Sequence, residues 1–195
     1  MARSGVRLVF LMVAAMWALE IVDLATGHAL DAFGILPRTL AGLAGIVVAP
    51  FLHFGFAHLA LNTVGFVALG LLIAIGGALR VVTVTAITAA VSGAGVWLLS
   101  PSQSVTAGAS GVVFGYAAYL IIRGLVSRRV GQLVLGAVVI AVFGGGLLAS
   151  LLPAAGISWQ GHLFGALGGV LAARLLHRHD RGPRTPALSV PPIAS

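Results

Sequence analysis

Six stretches of this chain are apolar enough, and long or nearly long enough, to cross a membrane as helices. They cover residues 6–24, 57–79, 81–99, 110–125, 130–152 and 159–176. A membrane-spanning helix needs about 20 mostly apolar residues, because lipid cannot hydrogen-bond an exposed backbone. The fourth and sixth stretches are shorter and contain several glycines, which is typical of helices buried among their neighbours. The pattern predicts an all-α membrane protein with six transmembrane helices.

The composition agrees with a lipid environment. Only 8% of the residues are charged, whereas a soluble domain carries roughly 25%. The chain has no cysteine, which excludes disulfides, thiolate metal sites and a cysteine nucleophile. We expect neither a metal nor an organic cofactor. All eleven basic residues are arginine, a bias that together with the abundant Ala, Gly and Val indicates a GC-rich bacterial genome.

The arginines predict the orientation. They lie before or at the start of the first stretch, between the second and third, between or next to the facing ends of the fourth and fifth, and at or beyond the end of the sixth. The alternate connections, 100–109 and 153–158, contain none, and only Arg38 falls in the long first loop at about 25–52. By the positive-inside rule, both termini are cytoplasmic and the protein lies in the cell (plasma or inner) membrane. This distribution argues against nucleic acid as a partner. We predict one six-span domain over 1–177 and a disordered cytoplasmic tail over 178–195.

Four polar residues lie where lipid should disfavour them: His58, Asn62, Ser110 and His162. Taken singly, each has a structural interpretation, as an interhelical hydrogen bond, a helix cap or a satisfied interior histidine. However, the second, fourth and sixth spans run in the same direction. All four residues therefore lie within about two turns of the same ends of three parallel helices. That shared depth favours a single polar site reached from outside.

The available side chains restrict the chemistry of such a site. The carboxylates are Glu20, Asp23, Asp31 and Asp180, and none lies in the second to sixth spans. A di-aspartyl protease is therefore excluded, a proton-coupled carrier is disfavoured, and no His-Glu-x-x-His zinc motif is present. Serine and histidine remain, which permits a nucleophile activated by a general base.

Glycine and aromatic spacing support that interpretation. Gly111 and Gly115 in the fourth span, and Gly165 and Gly169 in the sixth, have the small-xxx-small spacing that lets two helix backbones approach closely. Such an approach would bring Ser110 near His162. Phe114 follows Ser110 by one helical turn, and we expect it to stack on the His162 ring.

Three segments, in order, resemble the motifs of rhomboid intramembrane serine proteases: His53 to Asn62, Gly108-Ala109-Ser110-Gly111, and Ser158 to Gly165. The resemblance implies that Ser110 is the nucleophile and His162 its base. It implies an oxyanion site formed by His58, Asn62 and the Ser110 N–H, with His53 in a structural role. Structural support would come from the following residues: Gly108, Gly111, Phe114, Gly165 and Gly169.

The resemblance also implies a six-transmembrane-helix bundle that cleaves single-pass transmembrane proteins near the outer membrane face. Two features depart from the family pattern. Many members carry a Trp-Arg pair in the first loop, where this chain has Pro37-Arg38, and a tyrosine often occupies the position of Phe114. The alternatives are a non-catalytic rhomboid-like protein that binds membrane helices, and a small channel or carrier. The sequence leaves the oligomeric state and the physiological substrate open.

Overall fold

The computed structural model describes residues 1–154 and 156–180, and within them the protein is helical. Seven α-helices follow one another: α1 Ala2–Ala25, α2 Leu40–Val48, α3 Phe56–Ala74, α4 Ala78–Leu99, α5 Ser110–Ser127, α6 Val130–Ala149 and α7 Trp159–Asp180. Short 3₁₀ turns occupy Ala29–Phe33 and Ala49–Phe51. Extended pairing in this part of the chain is restricted to isolated bridges. The predicted all-helical membrane architecture is confirmed.

Five of these helices are long and apolar enough to cross a membrane: α1, α3, α4, α5 and α6. The sixth predicted span corresponds to α7, which is less apolar because it contains Gln160, His162 and Arg174. Helix α7 packs mainly against α4 and α5. Protein rather than lipid therefore surrounds much of its surface, and it can tolerate polar side chains. The count of six spans stays a prediction.

Several predicted span boundaries differ from those of the observed helices. The second span was predicted to continue to residue 79, but α3 ends at Ala74 and a turn at Gly76 and Gly77 leads into α4. Gly77 has a φ of +92°, which favours glycine. Hydropathy does not register such a turn, since the flanking residues are apolar. The sixth predicted span ends at residue 176, whereas α7 continues through Asp180. Residues 181–195 of the predicted tail lie outside the described residues.

Helix α5 lies at the centre of the bundle, in contact with α3, α4, α6 and α7. Tyr116 and Tyr119 on α5 are fully buried. The Tyr116 hydroxyl pairs with Thr85 Oγ1 at 2.5 Å, and Arg80 donates to the Tyr119 hydroxyl at 3.1 Å. These hydroxyls are therefore hydrogen-bonded in the core, as buried polar groups need to be.

Helices α5 and α7 approach to backbone contact through their glycines. A Cβ atom at Gly165 would lie 2.0 Å from the carbonyl oxygen of Gly111, and one at Gly169 would lie 2.0 Å from that of Gly115. No side chain larger than hydrogen fits at either position. The small-xxx-small spacing of the two helices thus forms one shared interface.

The first loop is structured and holds the segment that precedes α5. Ile35 and Thr106 form a two-way backbone bridge, with N···O distances of 2.8 and 3.1 Å. The Gly108 N–H donates to the Ala49 carbonyl at 2.8 Å. Arg38 donates to the Leu98 carbonyl at 2.9 Å and therefore ties the loop to the end of α4. The loop is thus a support for residues 100–109.

Candidate active site

Ser110 is the first residue of α5 and follows a turn that requires glycine. Gly108 has a φ of +126°, a region that side chains rarely adopt. The next residue, Ala109, donates its N–H to Nε2 of His53 at 3.3 Å. Burial and the neighbouring His58 lower the pKa of His53 to about 4. His53 is therefore neutral near pH 7 and can accept this bond, which fixes the backbone beside Ser110.

Ser110 opens onto a cavity of about 1070 Å³. The N-terminal ends of α3, α5 and α7 meet around this cavity, as the common depth of the four polar residues predicts. Its walls include all four of them, His58, Asn62, Ser110 and His162, together with Phe114. The two arginine-free connections, 100–109 and 153–158, also contribute to the lining.

The His162 ring is fixed by two contacts. Its Nδ1 lies 2.8 Å from the carbonyl oxygen of Ser150. Because a carbonyl only accepts, Nδ1 carries the proton and Nε2 keeps its lone pair. Phe114 stacks on the ring with a centroid distance of 4.1 Å and an interplanar angle of 5°. The carbonyl and the stacked ring together orient His162 in place of the acidic residue of a catalytic triad.

A buried hydrogen bond fixes the start of α7. Ser92 on α4 donates its hydroxyl to the Gly161 carbonyl at 2.8 Å. A Cβ atom at Gly111 would lie 2.1 Å from the same hydroxyl oxygen. Helices α4, α5 and α7 therefore meet at this level, one residue from both Ser110 and His162.

The Ser110 hydroxyl forms no hydrogen bond with any described residue, so the predicted hydrogen bond to His162 is not formed in this structure. Catalytic hydrogen bonds are often long in the absence of substrate and shorten when it binds. Ser110 and His162 nevertheless line the same cavity.

His58 and Asn62 converge on the space left open by Gly108. A Cβ atom at Gly108 would lie 3.0 Å from His58 Nε2 and 3.5 Å from Asn62 Nδ2. Asn62 is 7% exposed, and its Nδ2 is buried without a hydrogen-bond partner. An unsatisfied buried donor costs roughly 1–3 kcal/mol. The donor is therefore available for an acceptor that enters the cavity beside Ser110.

The structure thus brings together the residues predicted for the site. Their catalytic roles stay predictions. The contacts of the Ser150 carbonyl and the Ser92 hydroxyl were not predicted from the sequence. No sequence signal could have indicated the first, because every residue has a backbone carbonyl. Ser92, an isolated hydroxyl within an apolar helix, could have been noted as a polar interhelical contact.

Comparison with known proteins assigns the family. The sequence model of the rhomboid domain matches residues 40–179, from α2 to α7. The chain belongs to the rhomboid family of multi-pass membrane proteins. It is 40% identical over 182 residues to uncharacterised proteins of Mycobacterium bovis and Mycobacterium tuberculosis, an alignment that covers 88% of this chain and 75% of each relative. An uncharacterised protein of Mycobacterium leprae is 38% identical over 181 residues, covering 88% of this chain and 71% of the relative.

Proposed function

We propose that this protein is an intramembrane serine endopeptidase that uses Ser110 as nucleophile and His162 as general base. The observation that carries the proposal is that the Ser110 cavity contains both a proton acceptor for the hydroxyl and hydrogen-bond donors for an oxyanion. On one side His162 is held in the tautomer whose Nε2 can accept a proton. On the other side the unpartnered Asn62 Nδ2 and the His58 ring border a space next to the nucleophile.

The proposed reaction follows from these positions. Ser110 Oγ attacks the scissile carbonyl while His162 Nε2 takes its proton. The resulting oxyanion accepts hydrogen bonds from Asn62 Nδ2, His58 and the Ser110 N–H at the start of α5, where the helix dipole also favours negative charge. The protonated His162 then gives its proton to the leaving amine, which departs and leaves an acyl ester on Ser110. Water, deprotonated by His162, hydrolyses the ester and restores the enzyme.

The proposed topology places this chemistry near the outer membrane face. With α1 and α3 to α7 as six spans and both termini in the cytoplasm, the N-terminal ends of α3, α5 and α7 face outward. Substrates would be single-pass transmembrane proteins in the bacterial cell membrane. Their helices must locally unwind to present a peptide bond to Ser110, so residues that weaken helices should favour cleavage.

The alternative is a rhomboid-like protein that binds membrane helices without cleaving them. Such a protein has no use for an oriented His162 or for an unsatisfied Asn62 amide, and both cost stability or constrain packing. A channel or carrier is disfavoured by the close contact of α5 and α7, which leaves no room between them.

Proteolysis of a tagged single-pass substrate in reconstituted membranes tests the proposal. We expect a cleavage product with the unmodified protein and none with Ser110→Ala or His162→Ala, because each variant lacks one half of the dyad. Thermal unfolding in detergent verifies that both variants are folded. Product formation by folded Ser110→Ala protein would contradict the proposed nucleophile. Absence of cleavage across a panel of substrates, by protein shown to be folded, would favour the helix-binding alternative.

A further inference from the structure

A second polar cluster lies where α1 ends and the first loop begins. Asp23, His28 and Asp31 place one ligand atom each within 4.8 Å of one another. His28 Nδ1 lies 2.9 Å from Asp23 Oδ2, and the Leu30 N–H donates to Asp23 Oδ1 at 2.7 Å. Asp23 is 3% exposed, whereas His28 is accessible from outside. None of these residues lines the Ser110 cavity.

Glu20 places a second buried carboxylate of α1 beside this cluster. It lies one helical turn before Asp23 on α1 and is 2% exposed. Both of its carboxylate oxygens are buried without a hydrogen-bond partner. The backbone of Gly55 approaches this carboxylate without completing a hydrogen bond, and the charges of Asp23, Asp31 and His28 act on it. One oxygen of Asp31 is likewise buried and unpartnered.

The electrostatics of the cluster favour a cation. Burial and the charge of Asp23 raise the pKa of Asp31. The carboxylates of Asp23 and Asp31 place oxygens within 4.8 Å of each other and repel, and the buried Glu20 carboxylate without a partner is costly. A bound divalent ion would offset both the repulsion between the carboxylates and the cost of burying a negative charge.

We propose that Asp23, His28 and Asp31 form a binding site for a divalent transition-metal ion of the Mn²⁺ or Zn²⁺ type, with the nearby Glu20 carboxylate adding negative charge. Carboxylate oxygens with one imidazole nitrogen suit these ions, whereas an all-oxygen shell would suit Ca²⁺. Entry of the ion between His28 Nδ1 and Asp23 Oδ2 replaces their hydrogen bond. The exposed His28 can move, so the ligand atoms can contract to bonding distance.

The ion would fasten the first loop to α1. Asp23 belongs to α1, whereas His28 and Asp31 belong to the loop. The same loop continues to Ile35, whose backbone pairs with Thr106 ahead of Ser110. Metal binding should therefore stabilise the support on which residues 100–109 rest.

Binding of Mn²⁺ to the purified full-length protein in detergent, counted by loss of the free-ion electron paramagnetic resonance signal, tests the site. Mn²⁺ is preferable to Zn²⁺ as a probe because it binds less readily to sites made of histidine alone. The lining of the Ser110 cavity offers histidines but no carboxylate. We expect one Mn²⁺ per chain in the unmodified protein and a rise in unfolding temperature when it binds. His28→Gln and Asp31→Asn should each weaken binding about 10-fold or more.

Two matched variants complete the experiment. His177→Gln removes a histidine at the far end of α7 and should bind Mn²⁺ like the unmodified protein. Ser110→Ala should also bind normally, so the result does not depend on proteolysis. Absence of binding at millimolar Mn²⁺, or binding that His28→Gln and Asp31→Asn leave unchanged, would overturn the proposal.

Discussion

Gly165→Ala is expected to destabilise the protein by about 3 kcal/mol or more and to abolish the proposed proteolysis. The added Cβ would lie 2.0 Å from the Gly111 carbonyl oxygen and 2.8 Å from its carbon. Both are backbone atoms, which cannot move aside as a flexible side chain can. The two helices must separate, and these helices carry Ser110 and His162. Thermal unfolding followed by tryptophan fluorescence in detergent measures the loss of stability.

Gly145→Ala is the matched control for this change. Gly145 is also helical, in α6, and a Cβ there has nothing within 4 Å. Alanine favours helix over glycine by up to about 1 kcal/mol, so this variant should be at least as stable as the unmodified protein. If Gly165→Ala and Gly145→Ala proved equally stable, the close contact of α5 and α7 would be wrong.

Asn62→Ala is expected to lower the cleavage rate by about 10²–10³-fold, the usual effect of losing one oxyanion donor. The same change should alter the free energy of unfolding by no more than about 1 kcal/mol. The reason is that Asn62 Nδ2 forms no hydrogen bond in the folded protein, so truncation breaks none and removes an unsatisfied buried donor. Cleavage kinetics and thermal unfolding of the same preparation provide both quantities.

Val64→Ala controls for truncation on the same helix. Val64 is 67% exposed and lies outside the Ser110 cavity, so its loss should leave the cleavage rate close to that of the unmodified protein. A cleavage rate of Asn62→Ala close to that of Val64→Ala would contradict the role of Asn62. A rate loss matched by an equal loss of stability would instead indicate that Asn62 is structural.

The sequence predicted the parts of this structure that depend on residue spacing. Apolar length predicted the six long helices but not α2, and the direction of successive spans predicted a common depth for His58, Asn62, Ser110 and His162. The spacing of Gly111, Gly115, Gly165 and Gly169 predicted a close helix pair. These features depend on periodicity or topology, so the sequence alone can predict them.

Features that depend on loop conformation were not predictable. The residue that fixes the His162 tautomer is a backbone carbonyl, that of Ser150, and the sequence carries no mark for it. The turn at Gly76 and Gly77 was concealed by the apolar residues around it. The first loop showed no pattern that would indicate its pairing with Thr106.

The carboxylates illustrate the same limit. From the sequence, Glu20, Asp23 and Asp31 showed only that the second to sixth spans contain no carboxylate. No metal was expected. The fold turns the chain sharply after α1, with Gly27 and His28 at positive φ. That turn brings Asp31 back to Asp23, which spacing alone does not indicate. The proposed metal site therefore revises the expectation and depends on its own test.

Labelling of Ser110 by a serine-reactive fluorophosphonate tests the central claim most directly. The probe reacts with an activated hydroxyl and needs no knowledge of the substrate. We predict that mass spectrometry finds the adduct on Ser110, with none on the exposed Ser102 or the half-buried Ser104, and that folded His162→Ala protein is not labelled. If folded, unmodified protein is not labelled, or if labelling persists without His162, the claim that His162 activates Ser110 as a nucleophile is contradicted.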